Sequence, residues 1–320
     1  MIVAVSPLVA QRYGERIRAA APGVELVWPA EDGGWSGDAT TVEAVYFSED
    51  FWTSGTFRTL LPQLFTLSSL RWFHTFSAGV DHPAFQALVE RGILLTNSSG
   101  TTKEPIAQYV IAMMLRVVKR TDEWARGQRQ RRWEPIETDE LTGKSVGIVG
   151  VGHIGGEVAR LAKAFRMHVI GCRRRQRPMR PVDELVPPER LPELLARSDF
   201  VVLTLPLTSE TEGLIGEAEL RAMRPEAWLI NVSRGQVVRE EALERALKEG
   251  WIGGACLDVF QEEPLPEESE LWSLPNVIVT PHNSGWSPRN LERGTQVFLD
   301  NLRRFAAGRP LRNRVRASDF

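Results

Sequence analysis

The sequence predicts an α/β protein made of two doubly wound parallel-sheet domains, and three observations predict it. Short β-branched and aromatic runs alternate with helical apolar patterns along nearly the whole chain. The alternation pauses once, at a long helical stretch after the first third, and then resumes. A chain of 320 residues is long for a single core, so two domains are the default expectation.

Taken in order, the first series places strands at residues 2–5, 24–28, 41–47, 72–77 and 93–97, with helices between them. Residues 83–91 fit one such helix, closed by Gly92 at its C-terminal end. Residues 104–133 then read as one long helix, with Ile106, Val110, Met113, Met114 and Val117 at helical spacing as buried packing. The second series places strands at 145–149, 168–172, 200–205, 228–232, 254–259 and 277–280. Helices are expected at 157–165 and at 239–248, the latter acidic at its start and ended by Gly250. The tail, 288–306, is one amphipathic helix with Leu291, Val297, Phe298, Leu302 and Phe305 on its apolar side. It is expected to return to the first domain, so that the chain crosses between domains near residues 99–102 and 284–286.

Composition narrows the function. The chain is 42% hydrophobic and 25% charged, with a net charge of −2, so no global field draws it to nucleic acid or an anionic membrane. The basic run of residues 126–132 reads as a solvated helix face. Only two cysteines occur, Cys172 and Cys256, both in strand-like contexts, which fits a reducing compartment and a cytoplasmic protein. The opening MIVAVSPLVA lacks a basic start and stops at Pro7, so it reads as a first strand rather than a signal peptide. No segment has the roughly 20 apolar residues of a membrane span.

The strongest local signal is Gly150-Val151-Gly152-His153-Ile154-Gly155, directly after an apolar strand and before a helix. Gly150 allows the tight turn, Gly152 lets a pyrophosphate approach the backbone, and Gly155 lets helix and strand pack closely. The open N–H groups and positive end of the helix then hold the diphosphate. Strand and helix on either side are the context that separates a dinucleotide site from a glycine-rich turn. The next strand ends in Arg173-Arg174-Arg175, with no acid at its tip to bind a ribose 2′-hydroxyl. A guanidinium there suits a 2′-phosphate, so NADP is the expected cofactor, with NAD or mixed use as the alternative.

Three further segments each follow a strand, where ligands bind in open α/β sheets. They are Asn231-Val232-Ser233-Arg234-Gly235, then Leu257-Asp258-Val259-Phe260-Gln261-Glu262-Glu263-Pro264, then Val279-Thr280-Pro281-His282-Asn283-Ser284-Gly285. An arginine, a glutamate and a histidine at three strand ends can meet at one crevice while far apart in sequence. His74, His82, His153 and His168 are read as ordinary structural or surface histidines, and no metal-site spacing is present.

With the loop Ser77-Ala78-Gly79-Val80-Asp81-His82 and the turn Leu205-Pro206-Leu207-Thr208 followed by Thr211, these segments resemble the D-isomer-specific 2-hydroxyacid dehydrogenases over nearly the whole chain. The glyoxylate/hydroxypyruvate reductases are the most similar variant. The resemblance implies a Rossmann dinucleotide-binding domain (residues 100–284) inserted in a flavodoxin-like substrate domain (1–99 and 285–320), and a homodimer. It implies that Arg234 and the backbone of Ala78 and Gly79 hold a small 2-keto or 2-hydroxy acid, and that His282 exchanges a proton with it. Glu263, beside the imidazole, favours its charged form. Cofactor contacts are implied for Gly150, Gly152, His153, Ile154, Gly155, Arg173, Arg174, Leu205, Pro206, Thr211, Val232, Ser233, Asp258, His282, Ser284 and Gly285. Asp258 is expected at the nicotinamide end, with turn capping as its other reading. Glu262 competes with Glu263, and the position before Pro264 favours the latter. Ala107-Gln108 departs from the family's Ala-Glu. Trp286 stands where a small residue is frequent; it, Trp52 and Trp133 either shape the substrate pocket or pack in the core. The competing functions are a non-catalytic nucleotide-sensing scaffold of the corepressor type, and a dehydrogenase for another substrate such as 3-phosphoglycerate or phosphite.

Overall fold

The structure is a computed structural model, and it describes residues 1–29, 34–55, 62–175 and 177–320. The chain forms two compact units, Met1–Thr102 with Ser287–Phe320, and Lys103–Trp286.

The first unit holds a six-stranded sheet. Its strands are β1 (Ile2–Ala4), β2 (Glu25–Val27), β3 (Val42–Phe47), β4 (Trp72–Thr75), β5 (Leu94–Asn97) and, from the tail, β13 (Arg314–Val315). The order is β2-β1-β3-β4-β5-β13, parallel except for β13, which runs antiparallel to β5. The first five strands have the flavodoxin-like order. Alternate residues feed opposite faces, as strand geometry requires: Val45, Phe47 and Phe73 enter one core, and Ala44, Tyr46 and Trp72 the other. Helix α1 (Pro7–Ala20) starts cleanly because the Ser6 hydroxyl accepts from the Val9 N–H at 3.0 Å and Pro7 fills the first turn. Helices α2 (Glu49–Thr53) and α3 (Pro83–Glu90) follow. The tail helix α10 (Asn290–Ala306) covers the second face, and Phe298 stacks on Tyr46 and Trp72 at ring distances of 4.5 and 5.2 Å.

The second unit holds a seven-stranded, wholly parallel sheet in the order β8-β7-β6-β9-β10-β11-β12. The strands are β6 (Ser145–Val149), β7 (His168–Cys172), β8 (Glu184–Val186), β9 (Phe200–Leu203), β10 (Trp228–Asn231), β11 (Gly254–Leu257) and β12 (Val277–Val279). This is the Rossmann order, with its switch point between β6 and β9. Helices α4 (Lys103–Val118), α5 (Thr121–Arg129), α6 (His153–Ala164), α7 (Leu191–Arg197), α8 (Glu217–Ala222) and α9 (Glu240–Glu249) belong to this unit. Both sheet faces are buried, which is why these strands read as continuous apolar runs rather than alternating ones.

The expected single helix at 104–133 is two. Arg120 takes a left-handed conformation (φ 52°) between α4 and α5, and the Val118 carbonyl accepts instead from the Asp139 N–H at 2.8 Å. The Arg120 guanidinium grips both Glu123 oxygens at 2.7 Å and the Glu137 carbonyl at 3.2 Å. This break is tertiary: no glycine or proline marks it. Several strands also end sooner than expected. Leu205, Val232 and Val259 are apolar but lie in loops at the sheet's carboxyl edge. Among the described residues, no helix is long and apolar enough to cross a membrane.

Candidate active site

At the switch point of the second unit, β6 runs into the glycine turn. Gly150 (φ 99°) donates its N–H to Cys172 O at 3.0 Å on the β7 side, and its carbonyl accepts from Thr204 Oγ1 at 2.6 Å on the β9 side. A Cβ on Gly155 would stand 2.6 Å from that same carbonyl, so α6 approaches the turn this closely only because residue 155 has no side chain. Among the described residues, a Cβ on Gly152 would meet nothing within 4 Å, and no side chain caps the helix it begins. Helix α6 starts at His153, earlier than the sequence pattern indicated, which brings its open first-turn N–H groups to the glycines. Space, backbone donors and a positive helix end together fit a dinucleotide diphosphate. His153 is exposed and Ile154 half-buried at the start of this helix.

Two loops flank the turn. After β7, Arg173 donates its backbone N–H to Val186 O at 3.1 Å and Nη1 to the Met179 sulfur at 3.3 Å. The neighbouring Arg174 pairs with Glu210 at 3.2 Å. After β9, Leu205 borders the turn, its Cδ2 being 2.8 Å from where a Cβ on Gly150 would lie. The Thr211 hydroxyl shapes the rest of this loop, donating to Pro206 O at 2.7 Å and accepting from the Thr208 N–H at 2.8 Å.

β10, β11 and β12 are neighbours, so the loops after them leave the same edge of the sheet side by side. Arg234 stands on the first, Glu263 on the second and His282 on the third. Asn231, buried at the end of β10, accepts from the N–H and hydroxyl of Ser233 at 3.0 and 2.7 Å and donates to Arg234 O at 3.0 Å. Val232 and Ser233 are buried within this turn, and Arg234 is half-buried. Gly235 then lies directly on the second loop: a Cβ there would fall 1.8 Å from the Phe260 carbonyl carbon.

The Phe260 N–H donates to Glu263 Oε1 at 3.0 Å, and Glu263 Oε2 lies 2.7 Å from His282 Nδ1. Burial pushes the Glu263 carboxyl up. The bonds from His282 and Phe260, with the positive charges of His282 and Arg234, outweigh it and hold the group below its ordinary value. An ionised carboxylate accepts, so Nδ1 carries the proton of this bond and Nε2 is the nitrogen left for a substrate. Of the two competing acids, Glu263 is the one bonded to the imidazole.

Asp258, 1% exposed, holds the loop that carries His282. It accepts from Thr280 Oγ1 at 2.6 Å, from the Asn283 N–H at 3.0 Å and from the Ser284 N–H at 3.0–3.2 Å. Those bonds stabilise His282 in a left-handed conformation (φ 49°), which non-glycine residues seldom take. They favour the turn-capping reading of Asp258. Ser284 is buried by this contact, and Gly285 follows it half-buried. Tyr109 was absent from the sequence-based candidates. From α4 its hydroxyl meets Thr280 Oγ1 at 2.9 Å, so Tyr109, Thr280 and Asp258 form one hydrogen-bonded chain. Burial raises the Tyr109 phenol well above its ordinary range, keeping it a donor. Asn231 and Gly235 also gained their meaning only from the structure; an asparagine two residues before a serine at a strand end is the signal for the former.

In the first unit, the loop with Ala78 and Gly79 follows β4, and the Asn97 amide donates to Ala78 O at 2.9 Å. His74, also in this unit, is fully buried, with Nδ1 2.7 Å from Thr96 Oγ1 and Nε2 3.2 Å from Ser98 Oγ. His82 caps α3 through the Ala84 N–H, and His168 pairs with Asp183. Core packing for the three singled-out tryptophans is not what the structure has. Trp52, Trp133 and Trp286 are 50%, 97% and 61% exposed, because they sit on a short helix and two connecting segments rather than on buried faces.

Residues 111–284 match the family model of the D-isomer specific 2-hydroxyacid dehydrogenase NAD binding domain. The chain belongs to that family. It is thus an NAD(P)-dependent oxidoreductase, and the second unit is its dinucleotide-binding Rossmann unit. The dehydrogenase is 41% identical over 248 residues to a glyoxylate reductase of Thermococcus gammatolerans, covering 75% of this chain and 74% of that one. It superposes with a TM-score of 0.85 on a D-isomer specific 2-hydroxyacid dehydrogenase family protein of Aeromonas salmonicida, at 30% identity over 99% of both chains. A further similar structure is the NADPH-dependent glyoxylate/hydroxypyruvate reductase of Sinorhizobium meliloti, in complex with NADP and sulfate, with a TM-score of 0.81 and 26% identity over 99% of both chains.

Proposed function

We propose that this dehydrogenase reduces glyoxylate, hydroxypyruvate or a 2-keto acid of similar size, with NADPH as the preferred reductant. The observation that carries the reading is the 2.7 Å bond between His282 and Glu263, beside the loop of Arg234. The planar fork of Arg234 holds the substrate carboxylate or keto oxygen. Held by its diphosphate at Gly150, Gly152 and Gly155, a reduced dinucleotide would supply a hydride to the carbonyl carbon. His282 Nε2 gives its proton to the carbonyl oxygen, leaving a hydroxyl, and the Glu263 carboxylate stabilises the charged imidazole beforehand. A scaffold that only senses nucleotide has no use for this dyad. Arg173 and Arg174, in place of an acid at the β7 tip, support the preference for the phosphorylated dinucleotide, and the relatives named for glyoxylate and NADPH support the substrate.

The test follows absorbance of reduced cofactor with glyoxylate, hydroxypyruvate, pyruvate, 2-ketobutyrate, phenylpyruvate, 3-phosphohydroxypyruvate and, in the oxidative direction, phosphite. Turnover is expected with the small keto acids. Tight cofactor binding without turnover of any acid would show a scaffold. Replacing Arg173 and Arg174 by serine should raise KM for NADPH far more than for NADH; equal effects refute the cofactor preference.

A reducing, cytoplasmic location fits the two free, buried thiols. A homodimer in which a second copy covers residues 121–140 fits α5, which has no buried residue, and the neighbouring Trp133, 97% exposed. Light scattering at the mass of one chain would refute the dimer.

A further inference from the structure

The ion pair between Arg174 and Glu210 has an informative position. In the sheet, β7 and β9 lie on either side of β6, and Arg174 and Glu210 stand on the loops that leave those two outer strands. Their 3.2 Å contact therefore spans the tip of β6, where the glycine turn lies. The tip of β7 is where the ribose of the adenosine half sits in this fold, and where an acid binds its 2′-hydroxyl in NAD-using sites. Here that tip is basic, and the acid that pairs with Arg174 arrives from the β9 side. Glu210 does not hang on a loose loop: the next residue, Thr211, pins the turn through Pro206 O and the Thr208 N–H.

We propose that Glu210 determines how the enzyme divides between the two dinucleotides. Its carboxylate competes with a ribose 2′-phosphate for the Arg174 guanidinium, and it accepts from a ribose 2′-hydroxyl when the phosphate is absent. The proposal rests on the assignment of Arg173 and Arg174 as the phosphate grip. Two anions sharing one guanidinium repel, so removing the carboxylate favours the phosphorylated ligand. The same removal takes an acceptor from the unphosphorylated one. Opposite signs for the two ligands are the signature, since a merely structural surface pair moves both alike or neither. Arg174 and Glu210 are 80% and 72% exposed, so solvent screens the competition and the effects are modest.

The experiment is calorimetric titration of NADP+ and NAD+ into the intact protein and into Glu210→Gln, Arg174→Ser and the double variant, without substrate. In Glu210→Gln, NADP+ should bind roughly 2–5-fold tighter and NAD+ roughly 3–10-fold weaker. In the Arg174→Ser background, the gain for NADP+ should vanish while the loss for NAD+ persists. If Arg174→Ser weakens NADP+ selectively but Glu210→Gln changes neither ligand, or shifts both the same way, the phosphate grip stands and the role of Glu210 is refuted. If Arg174→Ser weakens both ligands alike, the phosphate grip itself is wrong, and the competition falls with it.

Discussion

Replacing Gly235 with alanine should break the active site without touching any group that does chemistry. The added Cβ would lie 1.8 Å from the Phe260 carbonyl carbon, 2.0 Å from its oxygen and 2.4 Å from the Gln261 nitrogen. All three are backbone atoms, so no side chain can turn aside to make room. Ordinary carbon contact is about 3.5 Å, so the loops after β10 and β11 must part by roughly 1.7 Å. Arg234 rides on one of these loops and Glu263 on the other, with Glu263 fixed to the Phe260 N–H. A displacement of about 1 Å in a reacting constellation can cost about 100-fold, and kcat/KM for keto-acid reduction should fall at least that far. Overpacking should also cost roughly 1–3 kcal/mol of stability. The glycine cradle is built from other loops, so the loss of NADP+ affinity measured by calorimetry should be much smaller than the loss of kcat/KM. The assay pairs initial rates with that titration and a thermal melt. A soluble Gly235→Ala protein that retains kcat/KM within a few-fold refutes the contact and the loop coupling built on it.

Two other expectations follow from buried hydrogen bonds. Tyr109→Phe removes one hydroxyl from the chain through Thr280 to Asp258, and kcat/KM should drop roughly 3–10-fold, about the worth of one buried bond. Thr280→Ser should stay near the parent and Thr280→Val fall further; if Tyr109→Phe lowers only the melting temperature, the chain does not position His282. In the first unit, burial drives His74 down to about 3 from 6.5. The Ser98 hydroxyl donates to Thr75 O at 3.0 Å, so Nε2 carries the proton and donates to Ser98. Trp72 donates to Thr96 Oγ1 at 2.8 Å, which leaves the Thr96 proton for Nδ1. Both ring nitrogens are therefore satisfied only in the neutral form. Between those two values the unfolded chain binds the proton and the folded one does not. Stability is thus unaffected above pH 6.5 and falls as the pH drops toward 3, with a slope up to about 1.4 kcal/mol per pH unit. Urea unfolding across that range checks it; a His74→Gln variant with the same acid slope would assign the slope elsewhere.

Much of this was legible in the residues. The glycine turn, the strand before it and the three loop segments after β10, β11 and β12 pointed to the carboxyl edge of the second sheet, because their spacing is dictated by backbone geometry. The break at Arg120 was not, since it depends on a carbonyl taken by Asp139 and a guanidinium shared between Glu123 and Glu137. The short strands β8 and β13 carry too few residues for a period to show. Tyr109 lay hidden in a helical apolar stripe, where its hydroxyl has no sequence signature. Asn231 and Gly235 were visible as residues but not as roles: one organises a turn through its side chain, and the other matters through the backbone it lets approach. For the tryptophans, the core-packing alternative failed for the opposite reason. Large apolar side chains suggest a core, yet Trp133 stands almost wholly in solvent.

We propose that Arg234, Glu263 and His282, brought together from adjacent strand ends, form one reacting centre. Its most direct test is the turnover of His282→Ala with NADPH and glyoxylate, alongside the affinity of the same protein for NADP+. His282→Ala should lose roughly 100- to 10,000-fold in kcat while its cofactor affinity changes far less. A variant that turns over at near the parent rate would contradict it.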